Sequence, residues 1–98
     1  MKRQIEYKGL QPTEHLEAQI DKEIEKLEKK FDWVNNMIIH LVRRKELETG
    51  CEVEIIARGK IAPEIFVKEQ NGKFEVAIAK AFDVLDRQLR RRKEKVMG

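Results

Sequence analysis

The sequence predicts an α+β two-layer sandwich of order β-α-β-β-β-α, a four-stranded sheet with two helices packed on one face. Three observations predict it. Two long segments carry apolar residues at spacings of three and four, four short segments alternate apolar with polar residues, and Gly, Pro or Asn-Gly signals separate them. At 98 residues the chain is long enough for one shared core and too short for two, so residues 1–98 read as a single domain.

Residues 3 to 8 alternate around Ile5 and Tyr7 as a short strand, and Gly9 to Pro12 turn the chain. Thr13 is placed to cap a helix whose first turn holds Glu14 and Glu17. Leu16, Ile20, Ile24, Leu27 and Phe31 form its single apolar face. Residues 33 to 43 alternate again, with Met37, Ile39 and Leu41 on one side and Asn36, His40 and Arg44 on the other. Glu46 to Gly50 form a hairpin loop before Cys51, Val53, Ile55 and Ala57, which alternate with Glu52, Glu54 and Arg58. A turn at Gly59-Lys60 leads to a fourth strand with Ile65 and Val67 inward and Phe66 outward. Asn71-Gly72 ends it, and Phe74, Ile78, Ala81, Phe82, Leu85 and Leu89 define a second long helix running to the tail. Three consecutive strands pair as a meander, and the first joins an edge after its helix crosses over.

Composition narrows the function. Apolar residues make up 41% of the chain and charged residues 40%, the latter well above an ordinary domain. Cys51 is the single cysteine, which excludes an internal disulfide and a thiol-rich metal site and suits a reducing cytoplasm. The opening Met1 to Glu6 has no apolar segment behind it, so no signal peptide is expected, and no apolar run approaches the roughly 18 residues of a membrane span. Six aromatics are too few for a base-stacking platform.

Catalysis finds no support. The sequence has no serine and no Gly-rich phosphate loop. His15 and His40 stand on different elements, outside any metal-ligand spacing with each other or with Cys51, which falls on the apolar parity of its strand. The carboxylates sit opposite lysines or on polar faces, with no apolar setting to raise a pKa. No enzyme, metal or cofactor is expected.

Charge is where the chain is specific. Residues 87–95 hold Arg87, Arg90, Arg91, Arg92, Lys93 and Lys95 against Glu94 alone. Six less one is +5, while the chain as a whole is +3, so the remainder sums to −2. Cations in a last turn complement the helix dipole, which accounts for two or three of them but not for six, nor for Lys80 several turns upstream. On a wheel of about 100° per residue, Lys80, Arg87, Arg91 and Lys95 line up opposite the core stripe, with Arg90 to one side. On the first helix, Glu14, Glu17, Asp21, Glu25 and Glu28 share one sector. Lys22, Lys26, Lys29 and Lys30, with His15 and Gln19, share another. Like charges at i,i+4 each cost roughly 0.2–0.5 kcal/mol, so the segregation reads as a lysine row turned toward an anion, beside the plainer account of a solvated face. Arginine over lysine favours bidentate phosphate contacts. A polyanionic partner follows.

Tyr7 to Thr13 (YKGLQPT) with Leu16, Lys26 to Phe31 (KLEKKF), Cys51 to Ile55 (CEVEI), Ala77-Ile78 and Leu85 to Lys95 (LDRQLRRRKEK) together resemble the ribosome hibernation-promoting factor family, also called ribosome-associated inhibitors or sigma-factor modulation proteins. The resemblance spans essentially the whole chain, and the last segment is its most specific part. It implies the same element order and a ribosome-binding domain that seats on the small ribosomal subunit, in the channel of messenger RNA and transfer RNAs, and silences translation in starved or stationary cells. By position it puts RNA contacts, mostly rRNA phosphates beside neighbouring ribosomal proteins, on Lys80, Arg87, Arg90, Arg91 and Lys95, with Lys26, Lys29 and Lys30 as further candidates.

Two departures stand out. Asn71-Gly72-Lys73 replaces the acidic residue usual before the second helix, and the chain ends at Gly98 without the dimerisation domain of long forms, which implies a monomer in solution. Two other readings differ in what they require. A module acting on a sigma factor needs an exposed apolar patch around Trp33 and Phe66. A double-stranded RNA-binding domain would lack the first strand and use a basic loop before its last helix.

Overall fold

The computed structural model describes the backbone of residues 1–97 and the side chains of residues 1–96. Its elements are β1 (Lys2–Lys8), α1 (Glu14–Lys30), β2 (Val34–Arg43), β3 (Cys51–Gly59), β4 (Ile65–Asn71) and α2 (Phe74–Met97). The sheet order is β1-β2-β3-β4. β1 runs parallel to β2, as a crossover through α1 allows, and the β2–β3 and β3–β4 pairs are antiparallel. The expected element order and layering hold.

Register aligns one face of the sheet for burial. Ile5 lies opposite Ile39, Ile39 opposite Ile55, and Ile55 opposite Val67, so one apolar row crosses all four strands. Both helices bury their stripes against this face. Leu16, Ile20, Ile24 and Leu27 of α1, and Phe74, Ile78, Phe82, Leu85 and Leu89 of α2, join Met37, Leu41, Val53 and Ile65 in a single core. Strand period two and helix period 3.6 thus meet at one interface.

Local chemistry sets the ends of the elements. The Thr13 Oγ1 accepts from the Leu16 amide at 3.1 Å, so the capping read from sequence is the one observed. α1 closes where the Phe31 N–H donates to Leu27 O at 2.8 Å. Before α2, the Asn71 Oδ1 accepts from the Lys73 amide at 3.1 Å, and the helix opens at Phe74. This side chain closes the turn before α2 and leaves the first amides of the helix without a side-chain cap among the described residues. Gly9 adopts φ +79°, and a Cβ there would come within 2.6 Å of Arg43 O, so the turn after β1 requires glycine on both counts.

One carboxylate departs from the sequence reading. Glu52 falls on the outward parity of β3, yet only 1% of it is exposed. Its Oε1 accepts from Gln70 Nε2 at 2.8 Å and sits 3.5 Å from both Arg44 Nε and Lys68 Nζ, while Oε2 is buried without a partner. Long side chains from β4 and from the residue after β2 cover it, something alternation along one strand does not encode. Burial works to raise its pKa, but the hydrogen bonds from Gln70 and Arg44 and the charge of Lys68 outweigh that, and the net shift is downward.

Leu85 sits fully buried where α2 meets the sheet. Leu85→Ala is expected to cost about 2–5 kcal/mol, measured as a drop in the midpoint of urea unfolding at unchanged slope. A loss below about half a kcal/mol, the range of ordinary surface substitutions, would mean that the core does not run beneath α2.

Candidate nucleic-acid interface

The side chains singled out from sequence all lie at the surface. Lys80, Arg87, Arg90, Arg91 and Lys95 are exposed along α2, and Lys26, Lys29 and Lys30 are exposed at the end of α1. Lys80 and Lys95 are fifteen residues apart along the helix, about 22 Å at the usual rise. That is a stripe rather than a point.

Tertiary structure then sorts these cations into two groups. Asp86 of α2 accepts from Lys30 Nζ of α1 at 2.9 Å and from Arg90 Nη2 at 2.9 Å. Arg87 Nη2 reaches Asp83 Oδ2 at 3.2 Å, and Lys26 Nζ lies 3.5 Å from Glu23 Oε1. Lys29, Lys80, Arg91 and Lys95 form no ion pair among the described residues. The structure therefore brings Lys30 and Arg90 together at one carboxylate and leaves the outer stripe of α2 the less neutralised part.

The Asp83–Arg87 and Asp86–Arg90 spacings are i,i+4 and were legible in the sequence as a signal for internal pairing. The link from Asp86 to Lys30 was not. It joins residues 56 positions apart and depends on how the helices dock.

The segregation of charge on α1 also gains an intramolecular cause. On one side of the helix, Asp21 pairs with Arg3 of β1 at 2.7 Å. On the other, Gln19 Nε2 donates to Glu75 O at 2.8 Å, His15 lies 3.7 Å from the Glu75 carboxylate, and Lys30 meets Asp86. Each sector thus faces a complementary neighbour, so the lysine row is partly a seam with α2. Lys26 and Lys30 line the groove between the helices together with Glu23, Asp83 and Asp86.

His40 stands on the open sheet face, 3.6 Å from Glu6 and 3.8 Å from Glu54. No cluster of three or more His, Cys, Asp or Glu is placed to hold a metal among the described residues. None of the described helices is long and apolar enough to cross a membrane.

Residues 3–97 match the family model described as sigma 54 modulation protein / S30EA ribosomal protein. The chain belongs to this family. Membership places it among ribosome-associated and regulatory proteins rather than enzymes. Among solved structures, the S30EA fold recurs in a ribosomal subunit interface protein from Coxiella burnetii. That protein is 16% identical, with a TM-score of 0.83 over 96% of this chain and 99% of the other. The Protein Y N-terminal domain of Thermus thermophilus is 19% identical, with a TM-score of 0.76 over 90% and 93%. At these identities the likeness establishes the fold alone. A search of curated protein sequences finds no significant match.

The Asp86 clamp carries a pH signature. Burial works to raise its pKa, but hydrogen bonds from Lys30 and Arg90 and their charges prevail, and the net shift is downward. A carboxylate depressed in the folded state stabilises the protein above its unfolded pKa of about 3.9 and loses that contribution as pH falls through the lower folded value. Unfolding free energy measured from about pH 6 downward is expected to decline below about pH 4, and Asp86→Asn should decline less steeply. Identical slopes for the two proteins would rule out the clamp.

Proposed function

We propose that this S30EA-family chain binds the small ribosomal subunit in the channel that holds messenger RNA and transfer RNAs, and so inhibits translation and promotes ribosome hibernation in the starved or stationary cell. The observation that carries the reading is the exposed cationic stripe of α2, where Lys80, Arg91 and Lys95 lack acidic partners among the described residues and Arg87 is 57% exposed. Such a stripe suits the phosphates of folded RNA, where contacts position a protein without reading bases. The small number of aromatics agrees with recognition of shape. The weak, solvent-exposed Arg87–Asp83 pair is readily exchanged for a phosphate. Lys26, Lys29 and Lys30 extend the surface onto α1, with Lys30 and Arg90 held by Asp86 at the junction.

Salt dependence tests the contact surface. Ribosome co-sedimentation should weaken steeply as salt rises. Arg87→Gln with Arg91→Gln should reduce the log–log salt slope by about 1.5, since each phosphate that a cation neutralises adds roughly 0.7–0.9 to it. The double variant should remain folded by circular dichroism, since both side chains lie at the surface. Unchanged binding by the folded variant would remove α2 from the interface.

A second reading, a regulatory module acting on a sigma factor, draws on one observation. On the open sheet face Ile38, Ile56 and Phe66 lie opposite one another across β2, β3 and β4, and Phe66 is 51% exposed. Trp33 does not extend this row as an open surface. It is half-buried and stacks edge-on against Phe31, with ring centroids 6.3 Å apart. A purified translation system containing no transcription separates the two readings. A channel plug should inhibit it, and less so once messenger RNA is already bound, because two polyanions compete for one cationic surface. Full-rate translation with the protein in excess over ribosomes at low salt would leave the sigma-factor reading standing.

A further inference from the structure

Arg43 is a cation where the strand calls for an apolar residue. It follows Met37, Ile39 and Leu41 on the core parity of β2 and is half-buried. Its Nη1 donates to Cys51 Sγ at 3.1 Å, and no carboxylate lies within ion-pair distance of it among the described residues. A thiol is a weak acceptor and carries no compensating charge, so the guanidinium is partly desolvated without a counter-ion.

Beside it lies a shallow cavity of about 780 Å³, largely open to solvent, between the end of the sheet and the starts of α1 and α2. Lys45 and Lys73 line this cavity with Arg43, and they too have no acidic partner among the described residues. Its apolar wall includes Leu10 and Phe74. One opposing charge, Glu75, sits on the lining and is engaged with His15. Three cations from two segments of the chain, Arg43 with Lys45 and the remote Lys73, thus line one space without an acidic partner among the described residues.

We infer that this cavity is a phosphate-binding site. Arg43 supplies the planar fork that suits phosphate oxygens, and Lys45 and Lys73 supply mobile point charges. The amides that open α2 add donors on the same wall, because Asn71 spends its side chain on Lys73 rather than on capping the helix. The site is distinct from the arginine-rich end of α2, since Lys73 and Arg91 are eighteen residues apart, about 27 Å along a helix, while Lys80 at the near end of the outer stripe is about 10 Å away. The phosphate comes either from an RNA backbone or from a free phosphate. Only the RNA source rests on the proposed function, and it would then give the domain a second anchor at its opposite end.

The test is a titration of the isotope-labelled whole chain at low salt, followed by amide resonances, with inorganic phosphate in one arm and a short RNA hairpin in the other. Lys45, Cys51, Phe74 and Glu75 amides should shift saturably. Lys45→Gln with Lys73→Gln, both at the surface, should weaken the apparent affinity about tenfold or more, while in the phosphate arm Arg87→Gln with Arg91→Gln should leave these shifts in place. Saturation by inorganic phosphate assigns a free-phosphate site, and saturation by the hairpin alone assigns the RNA backbone. No saturable shift in either arm overturns the inference. So do shifts that survive the lysine substitutions, or phosphate-induced shifts that vanish with the arginine pair. Because the readout needs no ribosome, failure of ribosome binding leaves its outcome distinct.

Discussion

Both helices must bury their apolar stripes on the same face of one four-stranded sheet, and the rest of the surface follows from that constraint. Ile20 and Ile24 of α1 and Ile78, Phe82 and Leu85 of α2 share one core with the inward row of the sheet. Helices sharing a face become neighbours, and neighbouring helices with many charges must match at their seam. Glu75 and Asp86 of α2 meet His15 and Lys30 of α1 for this reason. Acids used at the seam cannot neutralise the outer side, so the exposed stripe from Lys80 to Lys95 keeps an excess of positive charge. Packing and electrostatics are here a single arrangement.

The other face of the sheet shows how a small domain fills the surface that its helices leave open. His40 stands between Glu6 and Glu54, and Glu52 is enclosed by Arg44, Lys68 and Gln70. Cross-strand pairs of opposite charge suit such a surface, and the Ile38, Ile56 and Phe66 row interrupts them. A buried carboxylate with an unpartnered oxygen is costly in itself, and the two cations and the amide around its other oxygen offset that cost. The result is a sheet face fastened by polar contacts, while the helical face is fastened by apolar ones.

α2 connects the two cationic regions of the molecule. It begins beside Arg43, Lys45 and Lys73 and ends in the arginine-rich tip, spanning twenty-four residues. One rigid element therefore sets the separation between both ends. A long helix spreads its charges along a line rather than gathering them at a single point.

The order of elements, the capping of α1 by Thr13 and nearly every core residue were legible in the sequence, because periodicity and capping are local properties. Leu16, Ile24, Val53, Ile55, Phe82 and Leu85 announce their burial within a few residues on either side. The cations of α2 were equally legible, since a run such as Arg90 to Lys93 needs no tertiary context to be seen. Their partners were not. Lys30 meets Arg90 at Asp86, Glu52 is covered by side chains of other segments, and Lys73 joins Arg43 and Lys45 around a cavity only once register and docking are set. Hydrophobic patterning decides which face of an element is buried. It carries no information about which charge on one element will stand beside which charge on another, and that is settled by how the folded elements meet.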